Sequence, residues 1–157
     1  MILASGDSSI DANGAGVMSH ELSFMVIGDP KPQGSKNAYN MNGRIVLVEA
    51  AKGVKEWRNQ IKAVAKQAAI DSSFEKIPKD EPVMIELEFG MRRGSSVKRA
   101  LPTVKPDVDK LERACLDAIT QAGSIWHDDA QVCFVSKSKI YSHDEPYLKV
   151  KISWLPN

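Results

Sequence analysis

Two cysteines and three histidines in 157 residues leave little room for soft-metal or disulfide chemistry. Cys115, Cys133 and His127 lack the paired spacing of a zinc site, so no zinc is expected. Cys115 on a helix stripe and Cys133 in a strand read as buried free thiols of a reducing compartment. No stretch approaches the roughly 18 consecutive apolar residues of a membrane span. The opening MILASGDSSIDANGAG has neither a basic n-region nor a long apolar h-region. No membrane partner is expected, and the expected place is the cytoplasm. Charge of one sign is also missing: the net charge is +1, which argues against a simple, strongly basic nucleic-acid binder. Gly34-Ser35-Lys36 lacks the rest of a phosphate-binding P-loop, so no nucleotide cofactor is expected.

What is present is uneven. Residues 31 to 66 carry eight basic side chains against Glu49 and Glu56, and residues 91 to 113 carry seven against Asp107, Asp109 and Glu112. Residues 1 to 30 hold four acids and no Lys or Arg, and residues 71 to 88 hold six acids with two lysines. Such basic segments neutralise phosphates and release counterions even on a chain that is nearly neutral overall.

Length suits one domain with its own core. Residues 1–20 are small and polar without periodicity and read as a flexible tail, with Met18 as an alternative start, ahead of a domain over 21–157. LSFMVI (22–27) reads as a buried strand, and Asn42-Gly43 between AYNM and RIVLVE as a hairpin turn. From Ala50 or Ala51 to about Ile70, Val54, Trp57, Ile61, Val64, Ala65 and Ala68 recur with helical period, opposite Lys55, Arg58, Lys62 and Lys66. Trp57, Trp126 and Trp154 are most simply core. Val83–Met91 alternates as a strand, and Glu86 and Glu88 belong to its solvent face. A second helix carries Leu111, Ala114, Cys115, Ala118 and Ile119 on one stripe and stops at Gly123. Gln131–Ile140 and Pro146–Leu155 read as strands joined by a turn at Ser142–Glu145. The order β, hairpin, α, β, α, β, β predicts a single two-layer α/β domain with a mixed sheet and two main helices.

The chemistry concentrates between Lys105 and Val132. Pro106 biases Lys105 toward extended backbone. If Asp107-Val108-Asp109 continues extended, both carboxylates point to one face with Cα atoms roughly 6.5 Å apart and can converge on one cation. Asp128 and Asp129 follow at the far end of the helix. Plainer roles compete: Asp109, with Glu112 three residues on, fits a helix N-terminus, and Asp128-Asp129 fits ordinary turn chemistry.

PDVDKLERACLDAI followed by GSIWHDDAQV resembles the signature of the RusA family of Holliday junction resolvases, P-D-x-D-N-L-x-K, then D-A-L, a Gly and D-D-x-x-V. The loop Gly28 to Lys36 is similar to a PxPQGS-type loop of its phage or prophage members. The resemblance implies a homodimeric, Mg²⁺-dependent endodeoxyribonuclease of DNA recombination and repair, with Mn²⁺ as a substitute, acting in a bacterial host. It implies paired symmetric nicks across a four-way junction, leaving 5′-phosphate and 3′-hydroxyl ends. By position it assigns metal binding to Asp107, Asp109 and Asp129, with Asp128 as an additional ligand, and a catalytic role to Arg113. Two departures stand out: Lys110 where the family has Asn, and Arg113 where it has Lys. Beside such a site, Ser35, Lys36, Arg58, Lys62, Arg92, Arg93, Lys98, Arg99, Lys105 and Lys110 are the expected DNA contacts. The competing readings are a nuclease for flaps or forks and a junction-binding protein that does not cleave.

Overall fold

The computed structural model describes residues 20–34, 36–49, 52–154 and 156. Residues 1–19 of the expected 1–20 tail, with the Met18 start, lie outside the described residues, as does Ser35, whereas His20 is not tail: its carbonyl accepts from Trp154 N at 3.1 Å. The described elements are β1 (Glu21–Ile27), β2 (Lys36–Met41), β3 (Arg44–Glu49), α1 (Val54–Asp71), β4 (Val83–Met91), α2 (Val108–Ala122), a 3-10 turn (Asp129–Gln131), β5 (Val132–Tyr141) and β6 (Tyr147–Trp154). Their order is the one that the periodicities predict.

Four strands form one sheet in the order β1-β6-β4-β5, antiparallel except for the parallel β4–β5 pair. A parallel pair needs a long crossover, and α2 supplies it. Leu22, Phe24 and Val26 of β1, Leu148, Val150 and Ile152 of β6, and Val83, Ile85, Leu87 and Phe89 of β4 are buried in one core with the apolar stripes of both helices. Trp57 and Trp126 are in that core, whereas Trp154 is only partly buried, with its ring 4.2 Å from that of His20. Glu86 and Glu88 lie off the core, and Glu88 accepts a hydrogen bond from Tyr147 Oη. That phenol, half-buried against the carboxylate, is pushed up to about 12 by burial and then by Glu88. Gly90 lies beneath the same ring: a Cβ there would come within 2.3 Å of Tyr147 Cε1.

Strand β5 corrects one expectation. Cys133 is exposed, not buried, because β5 is an edge strand and its residues 133–138 lie open on both sides. Phe134 and Val135 are exposed with it. The β2–β3 hairpin forms a separate ribbon that turns at Asn42 and Gly43, both at positive φ. Tyr39, Met41, Ile45 and Leu47 stand exposed on it.

Candidate functional site

Helix α2 builds the site. The chain enters it through the cis Lys105–Pro106 peptide, where Lys139 Nζ of β5 donates to Val104 O at 2.6 Å and Pro106 O at 2.8 Å. Asp107 is extended (φ −72°, ψ 140°) and is the N-cap, while Val108 and Asp109 are already helical. The extended run over Asp107-Val108-Asp109 is therefore corrected, and the two carboxylates do not share a strand face. The stripe beginning at Leu111 requires helix immediately after Asp107, and acids in that first turn are favoured by the helix dipole. Asp107 makes no capping hydrogen bond through its side chain; its Oδ2 lies 3.5 Å from Lys110 Nζ.

Asp109, Arg113 and Asp117 follow at i, i+4 and i+8, so they form one ridge of α2. With Glu112, Leu116 and Asp129 they line a single open cleft. Glu112 is held by an ion pair with Lys137 of β5. Two turns of helix, about 12 Å of rise, separate Asp109 from Asp117. Among the described residues, no three acidic, His or Cys side chains gather closely enough to enclose an ion. Asp107 does not line the cleft.

Asp128 and Asp129 occupy different roles although adjacent. Asp128 caps the 3-10 turn, its Oδ1 accepting from Ala130 N at 2.8 Å. Asp129 is half-buried in the cleft, and its carboxyl titrates above the usual range. Burial is the first cause, followed by the charge and hydrogen bond of Asp128 and then the charge of Asp117. Ionising Asp129 is thus opposed by its surroundings, a condition that a nearby cation would relieve.

Two residues of this site were not singled out from the sequence. Asp117 opens the D-A-I that stands where the resemblance has D-A-L, and its spacing from Asp109 and Arg113 was the available signal. Gln131 is the other. Its Oε1 accepts from His127 N at 2.8 Å and Asp128 N at 3.3 Å, and its Nε2 donates to Pro78 O at 2.8 Å and Glu81 O at 3.1 Å. One amide thus fastens the turn that carries Asp129 to the connection before β4. Gln131→Leu is expected to cost about 1 kcal/mol, because it removes these four side-chain hydrogen bonds, three of them at exposed positions. Chemical denaturation checks the cost, and an unchanged midpoint would contradict it.

The expected DNA contacts divide into groups. Lys36, Lys98 and Lys105 are exposed, and Lys62 is half-buried on α1. Lys110 lies beside Asp107. Arg92 pairs with Asp29, Arg93 donates to Val97 O and Arg99 O, and Arg99 donates to Tyr141 Oη at 2.7 Å. These three arginines brace the loop between β4 and α2. Arg58 donates to Gln33 Oε1 at 2.8 Å.

The family model Endodeoxyribonuclease RusA matches residues 28–153, which takes in both helices, the cleft and, short of Trp154 at the end of β6, every strand except β1. No curated protein gives a significant match.

Proposed function

The chain belongs to the RusA family of endodeoxyribonucleases, enzymes that cut crossover junctions in DNA, and from that premise we propose a Mg²⁺-dependent Holliday junction resolvase working as a homodimer. The observation that carries this reading is the single cleft that brings Asp109, Arg113, Asp117 and Asp129 together.

The cleft's ionisable donors are carboxylates, with no thiol or imidazole lining it, which suits a hard cation such as Mg²⁺ with Mn²⁺ as a substitute. Asp109 and Asp129 are the proposed holders, with Asp117 on the same wall. Asp107 joins from the helix N-cap when its contact with Lys110 is broken, and Asp128 supports Asp129 through the turn it caps. When bound, such an ion polarises the phosphodiester and offsets charge on the leaving oxygen. Arg113 remains protonated, so its role is to stabilise phosphate charge and not to shuttle a proton. Lys36, Lys62, Lys98, Lys105 and Lys110 are the proposed phosphate contacts, together with Ser35. Arg92, Arg93 and Arg99 shape the loop that presents Lys98 and Lys105, and Arg58 works through Gln33. Paired nicks on a two-fold junction need two equivalent sites, which favours a symmetric dimer. The apolar residues exposed on the β2–β3 ribbon and on β5 support that arrangement. A phage or prophage origin and a place in the bacterial cytoplasm belong to the same proposal.

Arg113→Lys is expected to retain cleavage. Arg113→Ala is expected to lose about 10²-fold or more, the scale of losing one charge-stabilising group in a site. Single-turnover nicking checks both, and an unimpaired alanine variant would take Arg113 out of the mechanism. Specificity is tested by cleavage of a mobile four-way junction beside flap, fork and linear duplex DNA in Mg²⁺. Paired nicks that a ligase can seal, on the junction above the others, support the resolvase. Preference for flaps or forks gives a different branched-DNA nuclease. Binding without nicking in Mg²⁺ or Mn²⁺ gives a junction-binding protein, and the Lys110 and Arg113 departures would then account for the lost cleavage.

A further inference from the structure

The loop after β1 is fastened to the acidic ridge at two levels. Gln33 N donates to Lys110 O at 2.9 Å, in the first turns of α2. Its side-chain Nε2 donates to Asp117 Oδ2, and its Oε1 accepts from Arg58 NH1 at 2.8 Å. One neutral amide therefore stands between a carboxylate of α2 and a guanidinium of α1. A primary amide offers a donor at one end and an acceptor at the other, and these two partners fix which way it points.

The placement has an electrostatic consequence. A guanidinium meeting Asp117 directly would make a fork of charge-assisted bonds and occupy both carboxylate oxygens. With Gln33 between them, one oxygen is held by a neutral donor. Asp117 thus stands on the same cleft wall as Asp129 without a guanidinium across both its oxygens. Groups that orient a ligand through its free oxygen set cation affinity without touching the cation.

We propose that Gln33 is a positioning residue for the acidic cleft: its amide aims Asp117 toward Asp129 and separates Asp117 from Arg58, so the affinity for a divalent cation depends on the loop after β1. This rests on the reading of the cleft as a cation site. The full chain is titrated with Mn²⁺ alone by calorimetry, and nicking of a four-way junction is followed across Mg²⁺ concentrations.

Gln33→Met keeps the side-chain length and loses both amide contacts. It is expected to weaken Mn²⁺ binding by about 10- to 100-fold and to raise the Mg²⁺ needed for half-maximal nicking in parallel. Saturating Mg²⁺ should bring the rate back to within a few-fold of wild type. Gln33→Ala, which keeps the backbone bond to Lys110, should show the same shift, and thermal melting identifies either variant that fails to fold. Wild-type Mn²⁺ affinity in a folded variant would overturn the proposal, as would a rate that falls equally at every Mg²⁺ concentration. Asp129→Asn is the control that separates the two ideas. Loss of Mn²⁺ binding there with an unchanged Gln33 variant refutes the role of Gln33 alone, whereas no Mn²⁺ effect from Asp129→Asn removes the cation site and this proposal with it.

Discussion

Asp109→Asn is expected to cut the rate of four-way junction nicking by about 10³-fold or more, roughly 4 kcal/mol of lost transition-state stabilisation, while junction binding persists. Asp109 stands exposed in the first turn of α2 and lines the cleft, and it accepts no hydrogen bond among the described residues that the exchange would break. Asparagine is isosteric, so the change removes the charge and little else. The parallel variant Asp107→Asn is the sharper one. Asp107 holds the N-cap position of α2 without a side-chain capping bond, and asparagine is accommodated at that position as well as aspartate is. Loss of nicking in Asp107→Asn, with thermal stability kept, therefore assigns its carboxylate to chemistry. Full activity would leave Asp107 as a helix cap beside Lys110 and confine the site to the cleft. The measurement is nicking of a labelled junction in Mg²⁺ by each variant, at protein concentrations giving equal junction binding. Nicking by Asp109→Asn at the wild-type rate would sink the cation-holding role of the cleft.

Trp126→Ala carries the largest expected loss of stability. The indole is fully buried, and its Nε1 donates to Thr120 Oγ1 at 2.7 Å, near the end of α2. Truncating a buried aromatic leaves a cavity and costs about 3–5 kcal/mol, which in a domain of this size lowers the melting temperature by roughly 10 °C. The effect should also reach function, because Trp126 precedes the turn on which Asp128 and Asp129 sit by only two residues. Trp126→Phe refills most of the space and forfeits the hydrogen bond to Thr120. It should recover most of the stability. Urea unfolding of the two variants measures both terms, and a phenylalanine variant as unstable as the alanine one would mean that the hydrogen bond, not packing, holds this corner.

Much of this molecule was legible in its residues because the controlling interactions are local. The 3.6-residue stripes Val54–Ala68 and Leu111–Ile119, the alternation of Val83–Met91, the Asn42-Gly43 turn and the Gly123 helix stop depend on neighbours within a few positions, and each appears where its pattern lies. The family was legible from α2 and the D-D block for the same reason, since the spacing that makes a helix also spaces its acids. The error at Asp107-Val108-Asp109 arose from carrying the extension that Pro106 imposes on Lys105 past the proline, where helix entry competes, and packing of the stripe that begins at Leu111 decided for the helix.

What no local pattern contains is pairing across the chain. Nothing in the order of elements states that β6 inserts between β1 and β4, or that β5 is left as an open edge with Cys133 exposed. The site divides along the same line. The sequence by itself determined the acids, the basic segments and the helix that presents Asp109 and Arg113. Only the tertiary structure decided that Asp117 joins them, that Asp129 turns into the cleft while Asp128 caps its turn, and that Gln33 and Gln131 hold these acids in place. The physical reason is range: helix and turn preferences act over about four residues, whereas Gln33 to Asp117 and Gln131 to Pro78 are hydrogen bonds spanning 84 and 53 positions that exist only once the core has closed.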